Sequence, residues 1–447
     1  MPRIDILEQD LTRATNTVGT DIPYIPGFAY KQYDDEDNLI TPDTPQLCTS
    51  ILQFEHYFGT EPVKFVTGSS TSAYMIDNNS LDRSYIMARE LLALGMPIYY
   101  HAIQTSEASG LSFDETKIHD KLIQNLSAKN IYEPGLRDKG EYTIKYITSG
   151  GYANYGITHS DPESNFPDSL SDIMLEIAKT RGDAVALIED TPSQTTLDPK
   201  NVESFYNKLN ADTLDENNAG FGSAFIGWGR YKLTKAYKVG DTKISEAILP
   251  ACFGYLATLA LNIKVSPNWL AMAGTTRGLI PNLIELVTPI NNAVANAYQP
   301  TKAESVTGSR ALNAITNIKP YGLCVWGNRT LKKITEEHPL AGTAFLNTRN
   351  MISDIKKVAY RVAKSLIYEQ NNETLWLNFK SQVAPFLDQL KSGAGIADYK
   401  LLKLDTHYNG SSLGKEEFAC AIRIIPVYAV ETFEITVVVS DADVAVE

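Results

Sequence analysis

The sequence predicts a multidomain protein of mixed α/β and α+β class. Three observations carry this. The chain has 447 residues, and a single hydrophobic core rarely grows beyond about 250–300 residues. Between about residues 45 and 320, helical stretches alternate with short uninterrupted apolar runs, as in a sheet covered on both faces. The last third instead holds two long amphipathic stretches followed by alternating β segments.

Composition narrows the class. Hydrophobic residues make up 43% and charged residues 21%, a globular balance that excludes wholesale disorder. Fifty-three acidic residues against 40 Lys and Arg give a net charge of −13, which argues against nucleic acid as the main ligand. Cys48, Cys252, Cys324 and Cys420 are widely spaced. They read as small buried hydrophobes in a reducing compartment, not as a disulfide framework or zinc site. No apolar signal segment and no run of 18 apolar residues is present, so the expectation is a soluble protein without membrane insertion.

In order along the chain, residues 1–20 form a weakly apolar arm in which Ile4, Ile6 and Leu7 alternate with charges. Residues 21–320 form an α/β middle region. Leu47 to Phe58 reads as a helix closed by Gly59, and Ser84 to Leu94 as a second with Gly95 behind it. Pro97–Ile103 and Ala184–Ile188 read as buried strands, with a helix at Leu170–Thr180 between them. A helix is expected at about 245–261 and a strand near 269–273. Residues of about 105–165 break the rhythm, although Tyr142–Ile147 is strand-like, and read as an inserted subdomain.

Residues 321–430 form a C-terminal domain. Asn347 to Ile367 places Met351, Ile352, Ile355, Val358, Val362 and Leu366 on one helical face. Arg349, Lys356, Lys357, Arg361 and Lys364 fall opposite, offset by Asp354 alone. That basic face is either solvated or an electrostatic docking surface for an acidic partner. Glu373–Leu390 is a second helix, which Pro385 is expected to kink or split. Ala419–Ile425 is a strand. Residues 431–447 form a C-terminal arm in which Phe433, Ile435, Val437 and Val439 share one face. The alternating ends are either edge strands of the chain's own sheet or strands donated to neighbouring subunits.

No nucleotide-binding glycine motif, hydrolase elbow or zinc-binding His pair is present. Gly150-Gly151 with Gly156 reads as turn glycine and His101 as structural. No catalytic, cofactor-binding or metal residue is assigned and no cofactor is expected. An α/β enzyme whose site assembles from distant residues is the alternative from a different class.

Trp326-Gly327-Asn328-Arg329-Thr330-Leu331, then Phe345–Arg349 leading into the long helix, then Tyr368–Trp376, Gly393–Ile396 and the closing strands follow one another along the chain. In that order and spacing the C-terminal third resembles the contractile tail sheath family of tailed bacteriophages. Gln370 stands where that family usually has proline. Leu91–Tyr99, Arg181–Glu189 and Ala271–Gly274 with Arg277-Gly278 and Pro281 are weaker matches, and Leu279-Ile280 replaces a common tryptophan.

The resemblance implies a structural subunit without enzymatic activity. Stacked hexameric rings would surround an inner tail tube and contract to drive it through the host envelope. Baseplate and tail terminator proteins would be further partners, and the setting a virion tail assembled in the host cytoplasm. Helices would pack on a sheet completed by neighbours' strands, using Ile4, Ile6, Leu7, Phe433, Ile435, Val437 and Val439. Lys356, Lys357, Arg361 and Lys364 would face the tube, and residues 105–165 would form an outer subdomain. A tailocin or other phage-derived injection particle fits the same text.

Overall fold

The computed structural model describes residues 21–431, save residue 31, scattered positions between 34 and 43, the segments 67–80, 106–110, 113–114, 128–133, 153–168, 300–309, 334–341 and 407–410, and most of 191–218. The first part of the chain forms β1 (Pro23–Ala29), β2 (Gln46–Cys48), α1 (Ile51–Phe58), β3 (Phe65–Val66), α2 (Arg83–Ala93), β4 (Ile98–Gln104), β5 (Leu111–Ser112) and α3 (Glu115–Leu126). Then come β6 (Tyr146–Ile147), α4 (Leu170–Arg181), β7 (Val185–Glu189), β8 (Gly222–Ile226), β9 (Gly229–Val239), β10 (Thr242–Leu249) and α5 (Ala251–Asn262). After these follow α6 (Gly274–Arg277), β11 (Leu283–Leu286), α7 (Asn292–Ala297), β12 (Asn313–Ile318), β13 (Gly322–Trp326), α8 (Leu346–Leu366), α9 (Glu373–Ser392), β14 (Ile396–Leu404) and β15 (Ala419–Pro426).

Local chemistry sets the helix ends. Ser50 accepts a hydrogen bond from the Gln53 amide at the start of α1, and Ser169 does the same for Asp172 at α4. Gly182 closes α4 in the left-handed region, at φ 69°, where a side chain would strain the backbone.

The main sheet has eight strands in the order β13-β12-β8-β7-β6-β1-β4-β2. The run from β12 to β4 is parallel, and the edge strands β13 and β2 are antiparallel. Both faces are apolar. Ile25, Tyr100, Val185, Leu187 and Phe225 pack with α2 and α5 on one side. Tyr24, Phe28, Ile147, Ala186 and Ile188 pack with α3 and α4 on the other. The continuous apolar strands follow from this double burial. The antiparallel sheet β10-β9-β11 contributes Tyr231, Leu233, Tyr237 and Ile244 to the α2 side. Helix α2 is therefore buried along almost its whole length, and Arg89 and Glu90 are satisfied internally. Arg89 pairs with Glu55 at 2.9 Å, and Glu90 accepts from the Thr234 amide and hydroxyl.

The C-terminal helices α8 and α9 share a separate core of Met351, Ile355, Val362, Trp376, Phe379, Val383, Leu387, Leu390 and Ile396. The antiparallel pair β14–β15 lies against it through Tyr399, Leu401, Cys420, Ile422 and Ile424.

Four expectations change. Residues 245–261 are not one helix: Thr242–Leu249 is strand β10, and α5 begins at Ala251, after Pro250. Residues 269–273 form no strand. Trp269 instead donates its indole N–H to the Gly393 carbonyl at 2.9 Å. Tyr146–Ile147 does not belong to a separate insertion but is an inner strand of the main sheet, between β7 and β1, and α3 packs on the same sheet. Pro385 lies inside α9 without ending it. The arm residues Ile4, Ile6, Leu7, Phe433, Ile435, Val437 and Val439 lie outside the described residues.

Candidate assembly surface around the long C-terminal helix

The amino half of α8 is docked into the body, where a chain of charge holds it. The Lys145 ammonium, fully buried just before β6, donates to both Asp354 carboxylate oxygens at 2.9 Å and pairs with Asp21 at 2.6 Å. The Asn268 amide donates to Asp21 at 2.9 Å and to Asp354 at 2.8 Å. Burial pulls the Lys145 pKa down, but the two facing carboxylates outweigh it and hold the ammonium charged. Asp21 leads into β1 and Lys145 into β6, so one cluster ties two neighbouring strands to the middle of α8.

Lys357 belongs beside this cluster and not on an outer face, which corrects the expectation for that residue. It is buried, and burial, followed by repulsion from Lys145, pushes its pKa down to about 8. The pattern reading placed it outward because α8 is covered over more than its apolar stripe: Asn347, Thr348, Arg349, Asn350, Ser353 and Asp354 are buried as well.

Lys356, Arg361 and Lys364 are exposed. Lys356 donates to the Gly182 carbonyl at 2.9 Å and stands 5.5 Å from the centre of the Phe221 ring. A side chain at Gly140 would meet the Lys364 ammonium at 3.5 Å and the Tyr360 hydroxyl at 3.7 Å. The basic row of α8 thus borders the turns that lead into β6 and β7.

The segment Trp326–Leu331 joins the sheet edge to α8. Asn328 accepts from the Asn347 amide at 3.1 Å and donates to the Asn347 side chain at 2.7 Å. Thr330 donates to the Thr343 carbonyl at 2.8 Å. Arg329 lies over the Phe345 ring at 4.6 Å and pairs with Glu431 at 2.6 Å, while Phe345 packs on Tyr428. The last described residue, Glu431, is therefore fastened at the start of α8. Asp21, the first described residue, is fastened to its middle.

The pair β14–β15 is an open sheet. Among the described residues neither strand has a second neighbour. Ile425, Val427 and Val430 are exposed at and beyond its end. Trp269 packs against Gly393 and Gly395, where a β-carbon would come within 2.8 Å of the indole. That contact fixes the pair to the body.

No enzyme-like constellation emerges on the exposed surface among the described residues. His101 is buried and shares a 2.8 Å hydrogen bond with the Tyr24 hydroxyl. Gly150-Gly151 turns at positive φ against Pro26 and Arg83. At the carboxyl ends of the parallel strands, Asp82, Ser84, Tyr100, Ser149, Tyr152, Glu189 and Cys252 form a buried polar set. Tyr152 donates to Asp82 at 2.6 Å, and Ser149 and Cys252 both donate to Glu189. Burial pushes the Glu189 carboxyl up to about 7. No group of three or more His, Cys, Asp or Glu among the described residues could hold a metal ion, and no described helix is long and apolar enough to cross a membrane.

Residues 343–440 match the family model described as the phage tail sheath C-terminal domain. That span takes in α8, α9, β14 and β15. The chain is 24% identical over 271 residues to the tail sheath protein of Vibrio phage KVP40, covering 60% of this chain and 36% of that one. It is 25% identical over 164 residues to the tail sheath protein of Enterobacteria phage T4, covering 36% and 23%. The matches thus span about a quarter to a third of the length of these relatives. In fold the chain is similar to a protein in the sheath complex of an extracellular contractile injection system (PVC) in the contracted state. That likeness has a TM-score of 0.57 at 15% identity and covers 99% of this chain and 98% of the other.

Proposed function

We propose that this chain, whose residues 343–440 match the phage tail sheath C-terminal domain and which is similar to phage tail sheath proteins, is a structural subunit in a contractile tail sheath. Stacked hexameric rings surround an inner tail tube, meet a baseplate and a terminator at their ends, and contract to drive the tube through the host envelope. The setting is a virion tail assembled in the host cytoplasm. The observation that carries this reading is the α8–α9–β14–β15 module. Its two-stranded sheet keeps both edges unpaired among the described residues, and the outermost described residues, Asp21 and Glu431, are fastened at the middle and the start of α8.

An unpaired edge is a template for strand addition. In this reading Ile4, Ile6 and Leu7 of one arm, and Phe433, Ile435, Val437 and Val439 of the other, supply strands to neighbours. Backbone hydrogen bonds between subunits tolerate a change in tilt of the rigid bodies, so the array shortens and widens without dissociating. Lys356, Arg361 and Lys364 align the sheath on an acidic tube surface. Lys357 drops out of that set because it is buried. The fold likeness to the injection-system sheath supports a tailocin or related particle as a second reading. Electron microscopy of the purified full chain tests the proposal: striated tubes or hollow cylinders are expected, and a protein that stays monomeric at high concentration contradicts it.

A further inference from the structure

Arg349, in the first turn of α8, has no counter-ion among the described residues. Only 5% of its surface is exposed, its Nε has no hydrogen-bond partner, and its guanidinium lies 4.2 Å over the Phe221 ring. None of the ion pairs among the described residues includes it. Burial alone pulls its pKa down to about 10. Lys356 lies two helical turns further on the same face, exposed, with its ammonium over the same ring. The acid that faces Lys356, Asp183, is already paired with Arg181 at 3.0 Å. Asp354, on α8 itself, is turned to Lys145.

A buried cation without a partner is costly unless an anion completes it. At Gly220 a β-carbon would come 2.8 Å from the Arg349 Nη2.

We propose that Arg349 and Lys356, on the floor made by Phe221, form an anion site that is completed in the assembled particle by a carboxylate side chain from a second copy of this chain. The proposal rests on the sheath reading and names one contact within it. Two observations favour a second copy as the source. The chain carries 53 acidic residues against 40 basic ones, so its copies offer carboxylates. The site is also continuous with the base of the C-terminal arm. The Thr343 carbonyl borders Gly220, and a β-carbon at its neighbour Gly342 would lie 3.5 Å from Pro426 and from the Tyr428 hydroxyl. Arg suits this role, because its planar fork grips a carboxylate with two bonds while stacking on an aromatic ring.

The test uses the full chain, without tube protein. Arg349→Met removes an uncompensated charge, so the Tm of the free subunit should stay level or rise by up to about 4 °C. Tube formation should need about 10-fold more protein or worse, and should lose part of its salt sensitivity. Lys356→Gln, at an exposed position, should leave Tm alone and weaken assembly less. A fall in Tm for Arg349→Met together with wild-type assembly by Lys356→Gln overturns the proposal and makes Arg349 a packing residue. A defect that appears only when tube protein is present overturns the assignment to a second copy. Failure of the wild-type chain to assemble falls on the sheath reading, and the site then stands or falls on whether Arg349→Met spares Tm.

Discussion

The main sheet and the C-terminal sheet obey the same chemistry and end in opposite states. Strand β7 is buried along its whole length, flanked by β6 and β8 and covered on both faces. Strand β15 has one described neighbour and not one fully buried residue. A two-stranded sheet is marginal by itself, and this one is held by α9 beneath it and Trp269 at its end. The difference separates a region that specifies the subunit from a region whose bonding capacity remains for partners.

The comparison can be broken most forcefully at the hinge between the two regions. Lys145→Met leaves Asp21 and Asp354 buried without their cation, and should cost about 3–5 kcal/mol of subunit stability. A denaturant titration checks this, and a loss under about 1 kcal/mol would show that α8 is not held by charge.

Equivalent truncations in the two sheets should diverge. Leu187→Ala, in fully buried β7, should lose about 2–5 kcal/mol. Ile425→Ala, in β15 and 61% exposed, should change subunit stability by less than about 0.5 kcal/mol while impairing tube formation. Parallel melts and sedimentation of both variants decide the matter.

A smaller effect comes from pH. The Lys357 pKa is pushed down to about 8 in the folded chain, below the ordinary lysine value near 10.4. Between those values the unfolded chain binds more protons, so stability rises with pH across about 8 to 10.4. Lys357→Met should flatten that rise, worth roughly 1–3 kcal/mol, in melts taken across the window. An unchanged slope would place the titration elsewhere.

The smallest effect on the subunit, with the largest on assembly, is expected for Arg361→Glu combined with Lys364→Glu. Each exposed pair is worth only about 0–1 kcal/mol, but the contact repeats in every subunit. The variant should keep its melting temperature and lose extended sheaths on tubes, forming the tube-free polymer instead. Normal extended sheaths at low and physiological salt would return these residues to a solvated face.

What the sequence made legible follows the same division. Strands β4 and β7 and helices α2, α4, α8 and α9 announce themselves, because local apolar periodicity matches their burial. The β9–β10 hairpin was hidden: Ile244–Leu249 carries too mixed a pattern to tell a strand from the first turns of a helix that begins after Pro250. The place of strand β6 in the main sheet was hidden for another reason. Only Tyr146 and Ile147 pair, and what makes them central is the order of strands far apart in sequence. Trp326–Leu331 and the α8 stretch pointed to the assembly module. Its anchor could not be read, because Lys145 meets a partner 209 residues away and nothing in local spacing links the two. The unpaired Arg349 was visible only as one more base on a helix face.

The account turns on whether the open edges of β14 and β15 are where subunits join. Hydrogen–deuterium exchange on the full chain, before and after polymerisation, measures that directly. Amides in Ile396–Leu404 and Ala419–Pro426 that lack a bond within the pair should exchange freely in the subunit and become strongly protected in the polymer, while β7 stays protected in both. Equal exchange at both edges in the two states would contradict strand addition and leave the C-terminal sheet as the subunit's own.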